Sequence, residues 1–305
     1  MNNKTLAIIF GMLLLLAAFM FLFQSGKDER TFREVLVDID TSAVTEIFIE
    51  PKSKEYAPFR LSKENNEWKV SLPSGGTAEV TDQQITNLFN QLLAIQPKRL
   101  AARDESKWTE LQVDSTGTRV KVFEDSDLTL DLVIGRFSFQ QPRTMNTFVR
   151  LYNDKDVYEV DGFLDMTFNQ GPNIFRNGTI INSDFQNWQQ IQFVYPADSS
   201  FQLVNSSSGW LLNGMKTDSA KTINYLNRLR NLSGNKFIDN PSSVVNTTPA
   251  YTLNITTKDM NFVEVKCYKD STTSIIHSSQ NPEAWFDGAS LTKTIFVGRS
   301  NFLLN

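Results

Sequence analysis

Apolar and polar residues alternate in two distinct ways along this chain: one unbroken apolar run near the start, then short patterned segments to the end. Leu6 to Phe23 holds only Leu, Ile, Ala, Phe, Met and Gly11. That is close to the ~20 apolar residues with which a helix crosses a ~30 Å hydrocarbon layer. Further on, Val44-Thr45-Glu46-Ile47-Phe48-Ile49 is rich in β-branched and aromatic residues and predicts a strand. Phe59-Arg60-Leu61 and Trp68-Lys69-Val70-Ser71-Leu72 alternate around Glu64-Asn65-Asn66, the pattern of a hairpin with one buried face. Pro73 and Gly75-Gly76 end it, and Thr81-Asp82-Gln83-Gln84 forms a capping box that should start a helix. Ile85, Leu88, Phe89, Leu92 and Leu93 then make one apolar stripe, which Pro97 stops. Thr118–Phe123 with Leu128–Ile134, and Thr147–Leu151 with Val157–Val160, predict two more hairpins.

The same order recurs in the second half. Ile191-Gln192-Phe193 answers Ile47-Phe48-Ile49, and Gly209-Trp210-Leu211-Leu212 after a Ser-rich turn answers Glu67-Trp68-Lys69-Val70. Asp218 caps a helix whose Asn224-Tyr225-Leu226-Asn227-Arg228-Leu229 aligns without a gap to Asn87-Leu88-Phe89-Asn90-Gln91-Leu92. Lys236-Phe237-Ile238 matches Arg99-Leu100-Ala101, and Tyr251–Thr256 with Phe262–Tyr268 matches the second hairpin. A strand pair or a helix arises by chance, but a Trp after a turn, a capped helix and a hairpin in one order twice point to duplication. The expected fold class is α+β: an N-terminal transmembrane helix, then two tandem repeats of an antiparallel sheet with one packed helix each. The expected boundaries are 1–30 for the anchor, 31–165 for the first repeat and 166–305 for the second, with Gly162–Ser183 as linker.

Bulky Phe21-Leu22-Phe23-Gln24-Ser25 stands where a cleaved signal peptide would carry small residues, so the apolar run is expected to stay as an anchor. Lys4 precedes the run while Lys27, Arg30 and Arg33 follow it, so counting positive charges alone does not favour export. The short tail ahead of the run nevertheless has the layout of a signal anchor, and the folded part is expected on the extracytoplasmic side. Composition adds limits: 40% hydrophobic and 21% charged residues mark a folded chain. A net charge of −4 supplies no positive field for nucleic acid, which is not an expected partner. Cys267 is the only cysteine, so there is neither an internal disulfide nor a cysteine-rich metal site.

The arrangement resembles a bacterial family known as domain of unknown function 4340. The resemblance rests on the anchor, Glu67-Trp68-Lys69-Val70, the helix around Asn87–Ile95, Leu130-Asp131-Leu132-Val133-Ile134-Gly135, Thr147-Phe148-Val149-Arg150 and Asp156-Val157-Tyr158. It covers most of the first repeat and, more weakly, the second. It implies an accessory membrane role beside ABC-type export systems of the kind linked to gliding motility, and it assigns no catalytic residue.

Candidate chemistry is sparse. His277 is the only histidine and no Gly-x-Ser-x-Gly elbow accompanies it, so an ordinary loop or edge position is expected rather than a triad. Cys267 alternates with Val263 and Val265 and is expected buried and inert. The acidic pairs Asp38/Asp40, Asp125/Asp127 and Asp154/Asp156 suit turns better than calcium. Gly75-Gly76 lacks the lysine of a phosphate loop, and Trp68, Trp210 and Phe89 recur as core would, not as a stacking platform. Asn177, Asn205, Asn231, Asn246 and Asn254 begin glycosylation-like triplets that indicate exposed polar loops at most. The aromatic stretch Asn281–Gly288 fits no strand pattern and is expected to be a self-packed corner or a partner-binding loop.

No catalytic, cofactor-binding or metal residue is therefore expected, and no cofactor. The leading expectation is a non-enzymatic accessory or assembly protein of a bacterial inner membrane with protein partners in the periplasm, an ABC-type transporter among them. A periplasmic glycan- or lipid-binding module is the second expectation. A hydrolase using two carboxylates, ~5–10 Å apart in a cleft, is the third.

Overall fold

A computed structural model describes residues 33–304 apart from 141–143, 243, 245–246 and 270–272. The expected anchor within 1–30 lies outside the described residues, and among those described no helix is long and apolar enough to cross a membrane. The described chain is β-rich α+β, with a nine-stranded and an eight-stranded sheet, each with antiparallel pairing throughout.

The first sheet contains β1 (Val44–Glu50), β2 (Phe59–Glu64), β3 (Glu67–Ser71), β4 (Thr77–Val80), β5 (Pro97–Ala102), β6 (Thr118–Glu124), β7 (Asp127–Gln140), β8 (Thr144–Leu151) and β9 (Val157–Asp161). Their order across it is β4-β3-β2-β1-β6-β7-β8-β9-β5. Helix α1 (Asp82–Leu93) carries the chain from edge strand β4 to edge strand β5, so it passes over one face of the sheet. Its cap is the reciprocal box the sequence implies: Gln84 N donates to Thr81 Oγ1 and Thr81 N to Gln84 Oε1. Ile85, Leu88, Phe89 and Leu92 are its buried residues, each removing about 1.5–3 kcal/mol worth of apolar surface from water. They pack on Ile47, Leu61, Val70, Val120, Leu132 and Val149, the inward residues of alternating strands. Leu93, expected in that stripe, is 40% exposed.

The second sheet contains β11 (Trp188–Val194), β12 (Phe201–Ser206), β13 (Gly209–Leu212), β14 (Met215–Lys216), β16 (Tyr251–Thr257), β17 (Phe262–Lys269), β18 (Ser274–Ser278) and β19 (Asn281–Asp287), ordered β14-β13-β12-β11-β16-β17-β18-β19. A separate ribbon pairs β10 (Thr179–Asn182) with β15 (Asn231–Ser233). The two sheets are also alike in register. Ile47 faces Leu61 and Val122, and Ile191 faces Leu203 and Ile255. Trp68 stands opposite Lys63 as Trp210 does opposite Asn205. A bulge interrupts β1 between Val44 and Glu46 and β11 between Trp188 and Gln190. Helix α2 (Ser219–Leu229) buries Thr222, Tyr225, Leu226 and Leu229, the positions that answer Ile85, Leu88, Phe89 and Leu92. Leu100 pairs with Tyr158 and Phe237 bridges Phe286, so the short match after the helix also holds.

Several expectations need correction. The strand after Gly75-Gly76, β4, was hidden because Thr77–Val80 is short and weakly apolar. Residues 166–175, assigned from the sequence to the second repeat, pack on the first core through Phe168 and Phe175. They close the first copy as Phe302 closes the second: Phe175 lies 5.6 Å from the Phe59 ring, and Phe302 lies 6.0 Å from the Phe201 ring. The stretch expected as a linker thus belongs to a packed unit until Phe175, and from Ile180 onward to the other core. The second copy carries two packed helices rather than one, since α3 (Gly288–Ile295) contributes Leu291 and Ile295 to its core. Asn281–Asp287 is neither loop nor corner but strand β19, with Phe286 fully buried.

Candidate functional site

Each sheet has a second face, turned away from its large helix. On the first sheet the excursion between β5 and β6 folds back over that face, with Leu111 and Val113 packed on Val133, Phe148 and Val157. Two glycines permit the approach: a Cβ on Gly135 would strike the Leu111 carbonyl oxygen, and one on Gly117 would come 2.5 Å from the Gln112 oxygen. Beside this small core lies a cavity of about 410 Å³, lined by Glu50, Trp108, Asp114, Ser115, Gly117, Arg119, Val133, Arg150 and Tyr152.

Arg150 is its most unusual residue, only 3% exposed. Its Nε donates to Val113 O at 2.9 Å, and its Nη1 to the carbonyls of Leu151, Tyr152 and Asp154 at 3.2, 2.6 and 3.0 Å. Among the described residues no carboxylate pairs with it and Nη2 has no hydrogen-bond partner. The guanidinium lies 3.8 Å from the centroid of the Trp108 ring, and the indole Nε1 donates to Lys155 O. Burial pushes its pKa down, a trend that Tyr152, Asp131, Asp114 and Asp154 oppose.

Arg119 faces it across the sheet, through Val133, which pairs with both. Its Nε and Nη2 grip Asp131 in a bidentate pair at 2.8 and 2.7 Å, and this hydrogen bonding raises its pKa. The guanidinium lies 3.4 Å from the Tyr152 ring centroid. Asp114 is held by Thr116 N and Oγ1 and by Thr109 Oγ1. The hydroxyl of Thr116 is the main reason its pKa lies below the usual 3.8. The site thus offers two guanidiniums, each over an aromatic ring and, among the described residues, each with one terminal nitrogen that makes no hydrogen bond.

The second copy does not reproduce this. Register places Thr252 where Arg119 stands, Lys266 where Val133 stands and His277 where Arg150 stands. His277 stacks on Trp285 at 4.3 Å and its Nε2 lies 3.1 Å from Pro282 O, so it sits in an interior strand rather than a loop or edge.

The copies meet elsewhere, at a cavity of about 290 Å³ that includes Glu79, Arg176, Asp239 and Glu283 in its lining. Buried Arg176 pairs with Asp239 at 2.5 Å and lies 3.9 Å from the Phe237 ring centroid, while Asn177 N donates to Glu79 O. Asp239 also accepts from Ser74, so its carboxylate serves the junction. An open hollow of about 640 Å³ lies nearby around Tyr56, Pro73, Gly171 and Pro172.

The remaining candidates occupy cores and turns. Cys267 is fully buried, and burial raises its thiol pKa. Trp68 and Trp210 lie in the two cores, Trp68 edge-on to Phe89 at 6.0 Å. Asp40 accepts from Ser42, and Asp154 from the backbone of Lys155 and Asp156, as turn residues do. Asp125 occupies a left-handed turn position ahead of Asp127 in β7. Among the described residues no three His, Cys, Asp or Glu gather as a metal cluster. Gly75 and Gly76 have φ of 90° and 77°, a simple turn. Of the glycosylation-like triplets, Asn205, Asn231 and Asn254 begin in strands rather than exposed loops, and Asn177 bonds Glu79. Asn246 lies outside the described residues.

A family model described as domain of unknown function (DUF4340) matches residues 68–254, more than half of the chain. The chain belongs to this family. No curated protein and no solved structure matches it. The DUF4340 match runs from Trp68 in β3 to Asn254 in β16, so it contains Trp108, Asp114, Arg119, Arg150 and Tyr152, and leaves out Glu50. Sequence reasoning had passed over this pocket. The one available signal was the alignment of the two repeats, in which Phe148-Val149-Arg150 has no arginine opposite it.

Proposed function

We propose that this DUF4340 chain is a non-enzymatic accessory or assembly protein, tethered to a bacterial inner membrane through Leu6–Phe23, whose extracytoplasmic part docks on a protein of an ABC-type export system. The observation that carries the reading is the β7–β8 hairpin. Strand β7 runs 14 residues, whereas its counterpart β17 runs 8. A bulge between Ile134 and Phe137 precedes the extra length, which stays paired with β8 as far as Gln140 and Thr144. Phe137, Phe139 and Met145 are 48%, 56% and 50% exposed on that extension, with Phe163 against Phe137 and exposed Met166 nearby in chain. Clustered aromatic and methionine side chains left to solvent suit a protein contact. Arg33, the first described residue, lies 3.8 Å from Asp154 beyond the other end of β8. The patch therefore stands about 25 Å, one strand length, from the point at which the chain leaves for the tether.

A photo-crosslinking residue at Phe139 in the full chain, expressed in its own cells, should give one discrete protein adduct containing an export-system component. The double variant Phe137→Ser/Phe139→Ser should abolish the phenotype of the system while leaving secondary structure unchanged. Adducts with lipid alone, or no adduct, would remove the basis for the reading.

A further inference from the structure

The pocket beneath the first sheet's excursion makes a demand that the docking role leaves unanswered. Arg150 is a cation taken almost wholly out of water, and every acceptor it has is a neutral carbonyl. A buried charge of this kind is strongly unfavourable unless an opposite charge joins it. The neutral acceptors satisfy one flank and the Trp108 ring one face, which leaves Nη2 beside the cavity. Arg119 repeats the arrangement on the opposite side: Asp131 takes two of its nitrogens, Tyr152 covers a face, and Nη1 remains.

The charge balance narrows the ligand. Two guanidiniums stand against three carboxylates, those of Asp131, Asp114 and Glu50. At this ratio the lining is net negative by one, so a dianion such as phosphate would meet about twice the repulsion of a single carboxylate, which the free nitrogens can hold by charge-assisted hydrogen bonds. Asp114 and Glu50, in the same lining and close to the two arginines, accept hydrogen bonds and would hold hydroxyl or ammonium groups on the same molecule. About 410 Å³ suits a body of sugar or amino-acid size. Duplication supplies an independent argument. The two copies share core and register, yet the second has Thr252 and His277 in place of the two arginines, so the sheet does not need them in order to fold.

We propose that the cavity formed by Trp108, Asp114, Arg119, Arg150 and Tyr152 is a binding site for a small monocarboxylate that also carries hydroxyl or amino groups, a sugar acid or an amino acid. The carboxylate bridges Arg150 and Arg119, and the polar body lies toward Asp114 and Glu50. This site is separate from the β7–β8 patch, and either can fail without the other.

The test is calorimetric titration of the full chain in mild detergent with galacturonate, alanine, galactose and inorganic phosphate. Galacturonate or alanine should bind saturably with a Kd of about 1 mM or tighter, and galactose and phosphate more weakly. The substitution Arg150→Lys keeps the charge but loses the fork, and should weaken the carboxylate by about tenfold or more. Circular dichroism checks its fold. Should that variant misfold, Arg119→Gln at the more exposed guanidinium should show the same loss, and His277→Ala in the second copy should show none. Absence of binding by both carboxylates, equal or tighter binding of galactose or phosphate, or unchanged affinity in folded Arg150→Lys or Arg119→Gln would each overturn the assignment.

Discussion

Leu92 and Leu229 occupy the same place in the two copies, each the last buried residue of its helix stripe and each fully buried. Truncating either to alanine removes the same atoms from the same kind of site, where Leu→Ala costs about 3 kcal/mol or somewhat more. Their effects should nevertheless be confined to different halves. Among the described residues, one large core runs from Leu36 to Phe175 and the other from Ile180 to Phe302, with no member in common. Contacts that cross between them include polar ones through Arg176, Asp239, Ser74, Asn177 and Glu79, and the placement of Arg176 over the Phe237 ring. Hydrogen exchange read by mass spectrometry on the full chain separates the two. In Leu92→Ala, amides of β6 and β7 should exchange about a hundredfold faster, since 1.4 kcal/mol is tenfold, while those of β16 and β17 stay as in the parent. Leu229→Ala should give the mirror result. Acceleration of both halves by either substitution would refute the independence of the cores, and costs that differ several-fold would refute the equivalence of the two sites.

Gly135→Ala should destabilise the first copy by about 1–3 kcal/mol, because its Cβ meets the Leu111 carbonyl and, at 2.7 Å, Val113 Cγ1; an unchanged melting temperature would show that the excursion can yield. Tyr225→Phe leaves the Ile295 carbonyl without the hydroxyl that donates to it at 2.6 Å, and should lower stability by about 1–3 kcal/mol in urea unfolding followed at the second copy. Asp114 has a folded-state pKa below its usual 3.8, so the stability it gives is present above that value and is lost as pH falls through the lower one. Protection of residues 108–117, taken relative to the intrinsic exchange rate at each pH, should therefore fall as pH drops below about 3.8, and Asp114→Asn should remove that pH dependence; an identical profile in the variant would show that Asp114 does not hold the turn.

The elements that were legible in the sequence are those whose cause is local. A capping box needs residues only three apart, and alternation at period two marks the hairpins without reference to the rest of the chain. The duplication was legible for the same reason, since it compares one local pattern with another. Thr77–Val80 and Asn281–Asp287 escaped because their strand state comes from neighbours: β4 from β3, and β19 from β18 and the bridge to Phe237. Phe168 and Phe175 likewise look like a linker until the first core shows an uncovered end for them to fill.

By itself the sequence determined the repeated sheet-and-helix pattern, the strands of its clear hairpins, and the buried places of Cys267 and the two core tryptophans. Only the tertiary structure decided the site. Strand alternation marks Arg119 and Arg150 as pointing away from the core, which for a lone sheet means toward water. The excursion through Trp108 and Val113 turns that outer face into an interior one and leaves Arg150 only 3% exposed. Burial of a charge depends on what a distant segment covers, and no periodicity within the strand encodes it.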